Sequence, residues 1–419
     1  MLGVVGRDQA LADRDLLLWG ATGYTGRLVA RHLADHAPAG LRWAIGGRDR
    51  SKLQGLREEI GADVEVVLGD SLDPASMEEA VRPTRVVIST VGPYARYGTT
   101  LVEACVSQGV DYCDITGEAH WIRDNIDRVH GQAVESGARV VHCCGFDSIP
   151  SDVGVWMLHD HLRSVHGRRL AAAQFLLVKI KGGLSGGTAA SMLNLMERAG
   201  RDPHVRGVLS DPYALNPEGE RRGPDGPDQH HARYDEESGR WTAPFLMAGI
   251  NTRIVRRTNA LLDYPYGREF RYAEVVAARG RMQAQLTSLG LKAMILGGFF
   301  APSRWLMRRF LPNAGEGPSP EAREAGFFEI RLRGQSDGPA PLRIHGRIRG
   351  EHDPGYGETS RMLAESGLCL ALDELPTRAG ILTPAACMGA ALLKRLRAAG
   401  MTFEVGDDAV RSTRMLETG

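Results

Sequence analysis

The residues best suited to chemistry stand in a glycine-rich segment, Gly20-Ala21-Thr22-Gly23-Tyr24-Thr25-Gly26, which directly follows the apolar run Asp15–Trp19. A glycine-rich turn between a strand and a helix directs backbone N–H groups and the helix N-terminus at an anion. The three glycines allow a tight turn, close approach of a pyrophosphate and close packing of the helix on the strand. The spacing therefore predicts a dinucleotide-binding site.

The G-x-x-G-x-x-G spacing alone is weak evidence, because an ordinary turn between a strand and a helix can look the same. The residues that follow argue against that alternative. An apolar helical face containing Leu28, Val29 and Leu33 comes next, and the strand-like run Leu41–Ile45 completes a βαβ unit.

The charge after the second strand indicates which dinucleotide binds. A chain that binds NAD usually places Asp or Glu there to hold the ribose 2′-hydroxyl. Here the first charge is Arg48, and Ser51 and Lys52 follow within one helical turn. A guanidinium group suits a phosphate bidentately, and a hydroxyl can add a further hydrogen bond. We expect NADPH, with Arg48 on the 2′-phosphate and Asp49 as the N-cap of the next helix.

Further cofactor contacts are expected where later strands of the same sheet end, because ligands bind at the carboxyl ends of parallel strands. Glycine and proline directly after a central strand form a shaped loop that can meet the nicotinamide ribose and ring. The remaining expected cofactor contacts are Asp70, Thr90, Val91, Gly92 and Pro93.

Three residues near these loops are candidates for proton transfer. A phenol can donate a proton once hydride has moved, which makes Tyr94 the preferred candidate and Tyr97 the second. Both could instead pack structurally with satisfied hydroxyl groups. Asp147 follows the sixth strand, and it is either an acid or base or a carboxylate that holds its loop.

Strands alternate with helices over the first 150 residues, which predicts a doubly wound parallel sheet of the Rossmann type. Asp73-Pro74 starts one of the helices, as an N-cap followed by proline at the first helical position. The six predicted strands are Asp15–Trp19, Leu41–Ile45, Val64–Leu68, Arg85–Thr90, Val110–Ile115 and Arg139–Cys143.

The pattern changes after about residue 150, where a mixed α+β domain with a mostly antiparallel sheet is predicted. Its strands are expected at Ala173–Ile180, Phe270–Ala278, Phe327–Leu332 and Leu342–Ile348. Residues 218–240 are rich in Pro, Gly and charged residues, which predicts a mobile loop. We expect a nucleotide domain over 13–150, an inserted substrate or dimer domain over 151–357, and C-terminal helices over 358–419 that return to the first domain. These helices are expected at Glu358–Ala371 and Leu382–Leu396.

The segment 283–310 combines apolar residues with flanking basic ones, and its apolar run 293–302 is too short to span a bilayer. It is predicted to be an apolar helix. It either lies on a membrane or takes a lipid chain from one, or it is a buried helix or a contact in a homodimer.

Composition excludes several classes of protein. The chain has 51 basic and 51 acidic residues among 419, so charge gives no reason to expect a nucleic-acid partner. Its six cysteines lack C-x-x-C spacing, which predicts reduced thiols in a cytoplasmic protein and neither a disulfide framework nor a metal site. Residues 1–14 lack the apolar core of a signal peptide.

Several of these loops resemble those of the saccharopine-dehydrogenase-like oxidoreductases, and within them the chain is most similar to the actinobacterial trans-acting enoyl reductases. The segments that carry the resemblance are Leu18–Gly26, Thr90–Tyr94, Asp111–Glu118, Cys144–Asp152, Asn251–Ala260 and Gly380–Ala386.

The resemblance implies an NADP-binding Rossmann domain with an inserted α/β domain. It also implies reduction of a carbon–carbon double bond in a polyketide or acyl thioester held on a separate synthase, in lipid assembly of the phthiocerol and phenolphthiocerol type. Two alternatives stay open: a saccharopine-type dehydrogenase acting on an amino-acid-like substrate, and a non-catalytic nucleotide-binding protein that associates with a membrane or a synthase.

Overall fold

A computed structural model describes residues 12–182, 186–310 and 317–407, without the side chains of residues 301, 306–308 and 310. The prediction that residues 1–14 lack a signal peptide concerns residues that lie largely outside the described part. The end of the predicted 358–419 segment also lies outside it. The predicted fold class is confirmed, because the chain forms one parallel sheet and one mostly antiparallel sheet.

The first sheet has seven parallel strands in the order β13-β6-β5-β4-β1-β2-β3. Six of its strands come from the N-terminal part, each within a few residues of its prediction, and the seventh returns from the C-terminal part. They are β1 (Arg14–Trp19), β2 (Trp43–Gly47), β3 (Glu65–Leu68), β4 (Thr84–Ser89), β5 (Asp111–Asp114), β6 (Arg139–Val141) and β13 (Gly380–Leu382).

The second sheet also has seven strands, in the order β14-β12-β11-β7-β10-β9-β8, and only the pair β7 and β10 is parallel among the described strands. Its strands are β7 (Leu170–Lys181), β8 (Arg233–Asp235), β9 (Arg240–Pro244), β10 (Arg271–Ala278), β11 (Phe327–Ser336), β12 (Arg343–Gly350) and β14 (Thr402–Asp407).

The helices of the N-terminal part connect the strands of the first sheet, and the last of them leads from β6 to β7 of the second sheet. They are α1 (Tyr24–His36), α2 (Arg50–Ile60), α3 (Pro74–Val81), α4 (Tyr94–Tyr97), α5 (Thr99–Ser107), α6 (Ala119–Ser136) and α7 (Ile149–His166). The later helices are α8 (Gly186–Arg201), α9 (Pro203–Ser210), α10 (Ala248–Leu261), α11 (Arg281–Gly298), α12 (Ala301–Phe310), α13 (Pro320–Glu324), a π-helix (Pro354–Glu358), α14 (Thr359–Leu372) and α15 (Pro384–Ala398).

Helix α14 crosses the first sheet at very close range. A Cβ at Gly367 would overlap the side chain of Ile88 in β4 and lie 3.5 Å from that of Leu16 in β1. Twelve of the fourteen residues of α14 are buried, including the polar Glu365 and Ser366. The C-terminal part therefore completes the core of the first sheet.

Three predictions need correction. The segment 218–240, predicted to be a mobile loop, contains the short strand β8, which pairs with β9 through Tyr234 and Trp241. The predicted helix at Leu382 is instead the end of β13, and the helix begins at Pro384. The predicted helix 283–310 is two helices, because Gly297 and Gly298 weaken the first and Pro302 favours a new helical start.

Among the described helices, none combines the length and the apolarity that crossing a membrane requires. The six cysteines all lie within the described residues and are buried, and no disulfide joins them.

Candidate active site

The glycine-rich segment forms a tight turn from β1 into α1. Gly20 has a φ of +85°, a left-handed conformation that favours glycine, and a Cβ there would lie 2.5 Å from Val91 Cγ2. The turn is held by backbone bonds from Gly20 and Ala21 to the carbonyl of Gly46 in β2, at 2.9 and 3.2 Å. Thr90 Oγ1 donates to the carbonyl of Gly20 at 3.0 Å. The predicted turn therefore forms, and the loop after β4 lies against it.

The start of α1 is open to an anion. Gly23 is its N-cap and has no side chain that could accept hydrogen bonds from the N–H groups of the first turn. These N–H groups can therefore donate to a ligand. A Cβ at Gly26 would overlap the carbonyl oxygen of Gly20 and lie 2.8 Å from Ala21 Cα. The closeness of helix and turn thus depends on Gly26. These features fit the pyrophosphate of a dinucleotide, as does the half-buried Thr22 within the turn.

Arg48 lies at the carboxyl end of β2, next to this turn. Its side chain is exposed and makes no ion pair or hydrogen bond with another residue of the described chain. Asp49 accepts from the backbone N–H of Lys52 at 3.1 Å, so it is the N-cap of α2, as predicted. Ser51 and Lys52 are exposed in the first turn of α2, where they can approach the same phosphate as Arg48.

The remaining predicted cofactor contacts lie at the same edge of the sheet. Asp70 follows β3, and one of its carboxylate oxygens accepts from the N–H of Leu72 at 3.0 Å, which closes a local turn. Val91 packs on Gly20, and Gly92 and Pro93 are joined by a cis peptide before α4. The assignment of these residues to a cofactor stays a prediction.

A cavity of about 370 Å³ begins at this edge of the sheet and extends beneath the later helices. Thr25 of α1 and Thr90 after β4 lie at its cofactor end. The wall away from that end is mainly apolar, and its large side chains include Met192, Leu195, Met196, Met247, Ile295 and Phe299. The cavity thus joins the dinucleotide-binding turn to a space suited to an aliphatic chain.

Asp147 faces this cavity from the loop after β6. Its carboxylate is half-buried and makes no hydrogen bond to another residue within the described ranges. One of its oxygens lies 3.7 Å from the position of a Cβ on Gly117. Burial raises the pKa of Asp147 from 3.8 to about 6. An acidic group with a pKa near neutrality and a vacant hydrogen-bonding capacity is suited to proton transfer.

The two predicted tyrosines are less well placed. The Tyr94 hydroxyl is buried and donates to the backbone carbonyl of Ser89 at 3.0 Å, and burial raises its pKa well above the ordinary value. Tyr97 is half-buried, and the guanidinium carbon of Arg96 lies 5.0 Å from the centre of the Tyr97 ring. Tyr97 is not among the residues that line the cavity. A catalytic role for either tyrosine stays a prediction.

Glu118 was not selected from the sequence, yet it organises the site. Its carboxylate accepts from the N–H groups of Tyr94 and Ala95 at 2.8 and 3.1 Å, and from the hydroxyl of Ser191 at 2.9 Å. Burial raises its pKa. Glu118 therefore fixes the start of α4 and attaches α8 to the first sheet. Only its position after a predicted strand could have indicated this role.

A second buried network lies behind Asp147. The hydroxyl of Ser148 donates to Asn251 at 3.0 Å, and the Asn251 amide donates to Glu274 at 2.9 Å. Glu274 also accepts from the hydroxyl of Tyr272 at 2.7 Å, and its pKa is raised to about 7 by burial. The network ties the loop that carries Asp147 to α10 and β10, and so holds that carboxylate in place.

The segment that precedes β11 covers the start of α1. The hydroxyl of Tyr24 donates to the carbonyl of Pro318 at 2.5 Å and accepts from Arg323 at 2.9 Å. The Tyr24 ring packs edge-on against Tyr356 of the π-helix, with 4.5 Å between ring centres. A Cβ at Gly317 would overlap the Tyr24 ring. The cofactor turn and the second part of the chain are therefore in direct contact.

The sequence predicts no metal site. In the part of the chain that the structure describes, His161 and His166 of α7 approach one carboxylate oxygen of Asp407, at 3.2 and 3.0 Å. The two imidazoles lower the pKa of Asp407, although burial opposes the shift. The group is far along the chain from the cofactor turn and stabilises the end of β14.

Comparison with known proteins adds independent evidence. Residues 16–141 match the saccharopine dehydrogenase NADP binding domain. A Mycobacterium tuberculosis protein provisionally named a trans-acting enoyl reductase is 42% identical over 411 residues, covering 93% of this chain and 97% of the relative. The trans-acting enoyl reductase of Mycobacterium ulcerans is 36% identical, covering 94% of this chain and 97% of its own.

Among solved structures, saccharopine dehydrogenase (L-Glu forming) from Saccharomyces cerevisiae is similar with a TM-score of 0.55 and 14% identity. The match covers 93% of this chain and 99% of the yeast protein. At that identity the similarity shows the fold alone.

Proposed function

Because this chain belongs to the saccharopine dehydrogenase NADP-binding family, together with the mycobacterial trans-acting enoyl reductases, we propose that it is an NADPH-dependent enoyl reductase. Its substrate is an α,β-unsaturated acyl thioester, presented by a separate synthase. The one observation that carries the proposal is the cavity that extends from Thr25 and Thr90 to Ile295 and Phe299. A phthiocerol-type pathway stays a prediction.

The cavity favours an acyl substrate over a small amino acid. Its single lining cation within the described residues is Arg253, which donates to the backbone carbonyls of Leu209 and Asp211 at 2.6 and 3.0 Å. Asp147 and Glu118 also line the cavity and would repel a dicarboxylate, whereas Asp228 is paired with Arg253 at 3.7 Å. This arrangement argues against the saccharopine-type alternative.

The reaction divides between the cofactor and this chain. A reduced nicotinamide cofactor held by the turn Gly20–Gly26 would supply a hydride to the β-carbon of the thioester. The α-carbon then needs one proton, and the carbonyl oxygen carries the negative charge until that proton arrives. Protonated Asp147 can supply the proton, because its carboxyl group faces the cavity and its pKa lies near 6. Glu118 holds the neighbouring loop in position through the Tyr94 and Ala95 N–H groups.

The test is a substrate panel with the purified full chain. Enoyl thioesters of several chain lengths and, separately, 2-oxo acids with amino acids are each mixed with NADPH, and cofactor oxidation is followed by absorbance. We expect turnover with the enoyl thioesters. Turnover only with the oxo acids would support the saccharopine-type alternative, and cofactor binding without any turnover would support the non-catalytic one.

The proposed cofactor preference rests on Arg48. Its exposed guanidinium, which has no partner among the described side chains, can bind the 2′-phosphate that distinguishes NADPH from NADH. A charge-assisted hydrogen bond contributes about 1.5–3 kcal/mol, so Arg48→Ala should weaken NADPH binding by roughly 10- to 150-fold. Calorimetric titration measures both dissociation constants, and NADH is the internal control. Equal losses for both cofactors would show that Arg48 does not contact the 2′-phosphate.

The cavity should limit the chain length of the substrate. Leu195 lines it from α8, so Leu195→Trp should fill space needed by the distal methylenes. Each buried methylene contributes about 0.8 kcal/mol, so loss of three or four should lower kcat/KM for long enoyl thioesters by roughly 10²-fold. Short thioesters should be turned over as before. Asn194→Trp, on the same helix but outside the cavity lining, is the matched control, and equal effects of both variants would contradict the assignment.

A further inference from the structure

The outer surface of helices α11 and α12 is unusually apolar. Six large apolar side chains on it are each at least 63% exposed, and we call them the apolar hairpin face: Met282, Leu286, Leu289, Leu296, Phe300 and Trp305. Soluble domains rarely expose contiguous apolar patches of this kind unless the patch binds something. The inner side of α11 is formed by small residues, because Ala284, Ser288 and Gly298 are the buried ones.

The same segment is strongly basic. Residues 281–310 contain five basic residues, namely Arg281, Lys292, Arg304, Arg308 and Arg309, and no Asp or Glu. Arg304 is buried and joins the two helices by donating to the carbonyl of Gly298 at 3.0 Å. Lys292 and Arg309 are exposed. An apolar helical face with exposed cations and a tryptophan is typical of helices that lie in the interface of an anionic membrane.

We propose that the apolar hairpin face docks this protein on the surface of an anionic lipid bilayer. The inference deepens the proposed function and rests on it, because a long acyl chain held as a thioester on a synthase partitions into an adjacent bilayer, where this protein would meet it. The helices lie in the interface and do not cross it, in agreement with the lengths and apolarity of the described helices.

A second copy of this chain fits the face less well. Met282, Leu286, Leu289, Ala293, Leu296 and Phe300 follow the alternating spacing of three and four residues that helical partners use. In such a pair the flanking positions often carry opposite charges, but here they hold Gln283, Gln285, Gly290, Lys292, Gly297 and Phe299. Two copies would therefore bring cations together with no carboxylate to compensate them, whereas anionic headgroups compensate them directly.

The cavity meets the outside at this same hairpin. Ile295 of α11 and Phe299, which caps the end of α11, line the cavity and are each still 40% exposed. Their neighbours Leu296 and Phe300 belong to the apolar hairpin face. An acyl chain seated in the bilayer could therefore enter the cavity past α11 without crossing water. The docking surface and the substrate cavity are continuous.

The test is flotation of the full-length protein with vesicles of phosphatidylcholine, with and without phosphatidylglycerol. We expect binding to the anionic vesicles that is weakened by high salt. The double variant Leu289→Ser and Leu296→Ser should weaken binding at least tenfold, because two apolar contacts with the acyl region are lost. Lys292→Gln should weaken it roughly fivefold on anionic vesicles only. Val165→Ser, at a side chain 59% exposed on α7, is the matched control and should bind normally.

The oligomeric state and the turnover of a short, water-soluble enoyl thioester are measured on the same variants. Failure of the wild-type protein to bind vesicles would overturn the docking proposal. Light scattering would then show either a monomer or a dimer, and dissociation of that dimer in the double variant would assign the face to a second copy of the chain. Retained turnover of the short thioester in that case would leave the proposed function standing. Vesicle binding without turnover would support the docking proposal and contradict the reductase.

Discussion

Replacement of Asp147 by Asn should lower kcat for enoyl reduction by about 10²- to 10⁴-fold, the usual contribution of a positioned general acid. The amide keeps the size of the side chain but cannot give a proton to the α-carbon. NADPH affinity should be unchanged, because Asp147 follows β6, away from the turn between β1 and α1. Steady-state kinetics with a short enoyl thioester and titration with NADPH measure the two quantities separately.

The pH dependence gives a second, independent readout for Asp147. Its pKa in the folded protein is about 6, so the fraction in the proton-donating form falls as pH rises through that value. We expect kcat/KM of the wild-type protein to fall tenfold per pH unit above about 6, and Asp147→Asn to lose this dependence. A wild-type profile that is flat between pH 5 and about 8 would contradict the assignment.

Stability separates a catalytic effect from a structural one. The folded-state pKa of Asp147 lies above its ordinary value of 3.8, so the contribution of this group to stability is fully present below that value and is lost as pH rises through about 6. Removing the charge should therefore not lower the Tm at pH 7. Tyr94→Phe is the companion variant, because it removes the other candidate donor. A large rate loss in Tyr94→Phe, with little in Asp147→Asn, would reverse the two roles.

The second large effect is expected at the cofactor turn. Gly26→Ala places a methyl group against the Gly20 carbonyl oxygen and 2.8 Å from Ala21 Cα, and both obstacles are backbone atoms. The start of α1 must then move away from the turn. The N–H groups of the turn and those of the first turn of α1 then no longer converge on one pyrophosphate. Loss of two charge-assisted hydrogen bonds corresponds to about 3–6 kcal/mol, so NADPH and NADH should both bind roughly 10²- to 10⁴-fold more weakly.

Gly55→Ala is the matched control for this substitution. Gly55 lies within α2, and a Cβ there would meet no atom within 4 Å. Alanine in a helix interior is favoured over glycine by about 0.8–1.0 kcal/mol, so this variant should be slightly more stable and bind cofactor normally. Titration calorimetry on both variants decides the matter. Normal cofactor affinity in Gly26→Ala would place the dinucleotide elsewhere.

The first sheet could be predicted closely because its signals are local. Each strand is a short apolar run, each helix has a cap or a periodic face, and Asp49 and Asp73 both accept backbone N–H groups at helix starts as their positions predict. The glycine turn is local as well, since Gly20 and Gly26 meet within seven residues. The position of Arg48 follows from the end of β2.

The sequence was much less informative where polar residues are buried. Helix α10 contains Arg256 and Arg257, which in a single sequence resemble solvent-facing charges. Both are buried, because Arg256 pairs with Asp225 at 2.9 Å and Arg257 donates to the carbonyls of Leu215 and Ile381. These partners lie 31 to 124 residues away, so no local pattern could reveal the helix or its role.

The candidate site divides in the same way. The cofactor turn and Asp147 could be found from the sequence, since both follow predicted strands. The apolar wall could not, because Met192 and Leu195 come from α8 and Ile295 from α11, and only the tertiary fold brings these helices over the sheet edge. The sequence favours Tyr94 over Asp147 as the proton donor because of its residue type alone. Residue type does not reveal that the Tyr94 hydroxyl donates its hydrogen bond to the carbonyl of Ser89.

Tyr24 limits how this protein could be recombined with others. Its ring lies under Gly317, and its hydroxyl joins Pro318 and Arg323. A chimera that takes its glycine turn from an unrelated Rossmann protein would lose this tyrosine and leave a void beneath Gly317, with the Arg323 contact unmade. Position 24 and residues 317–323 are therefore expected to change together during divergence, as one inherited unit shared by two parts of the chain.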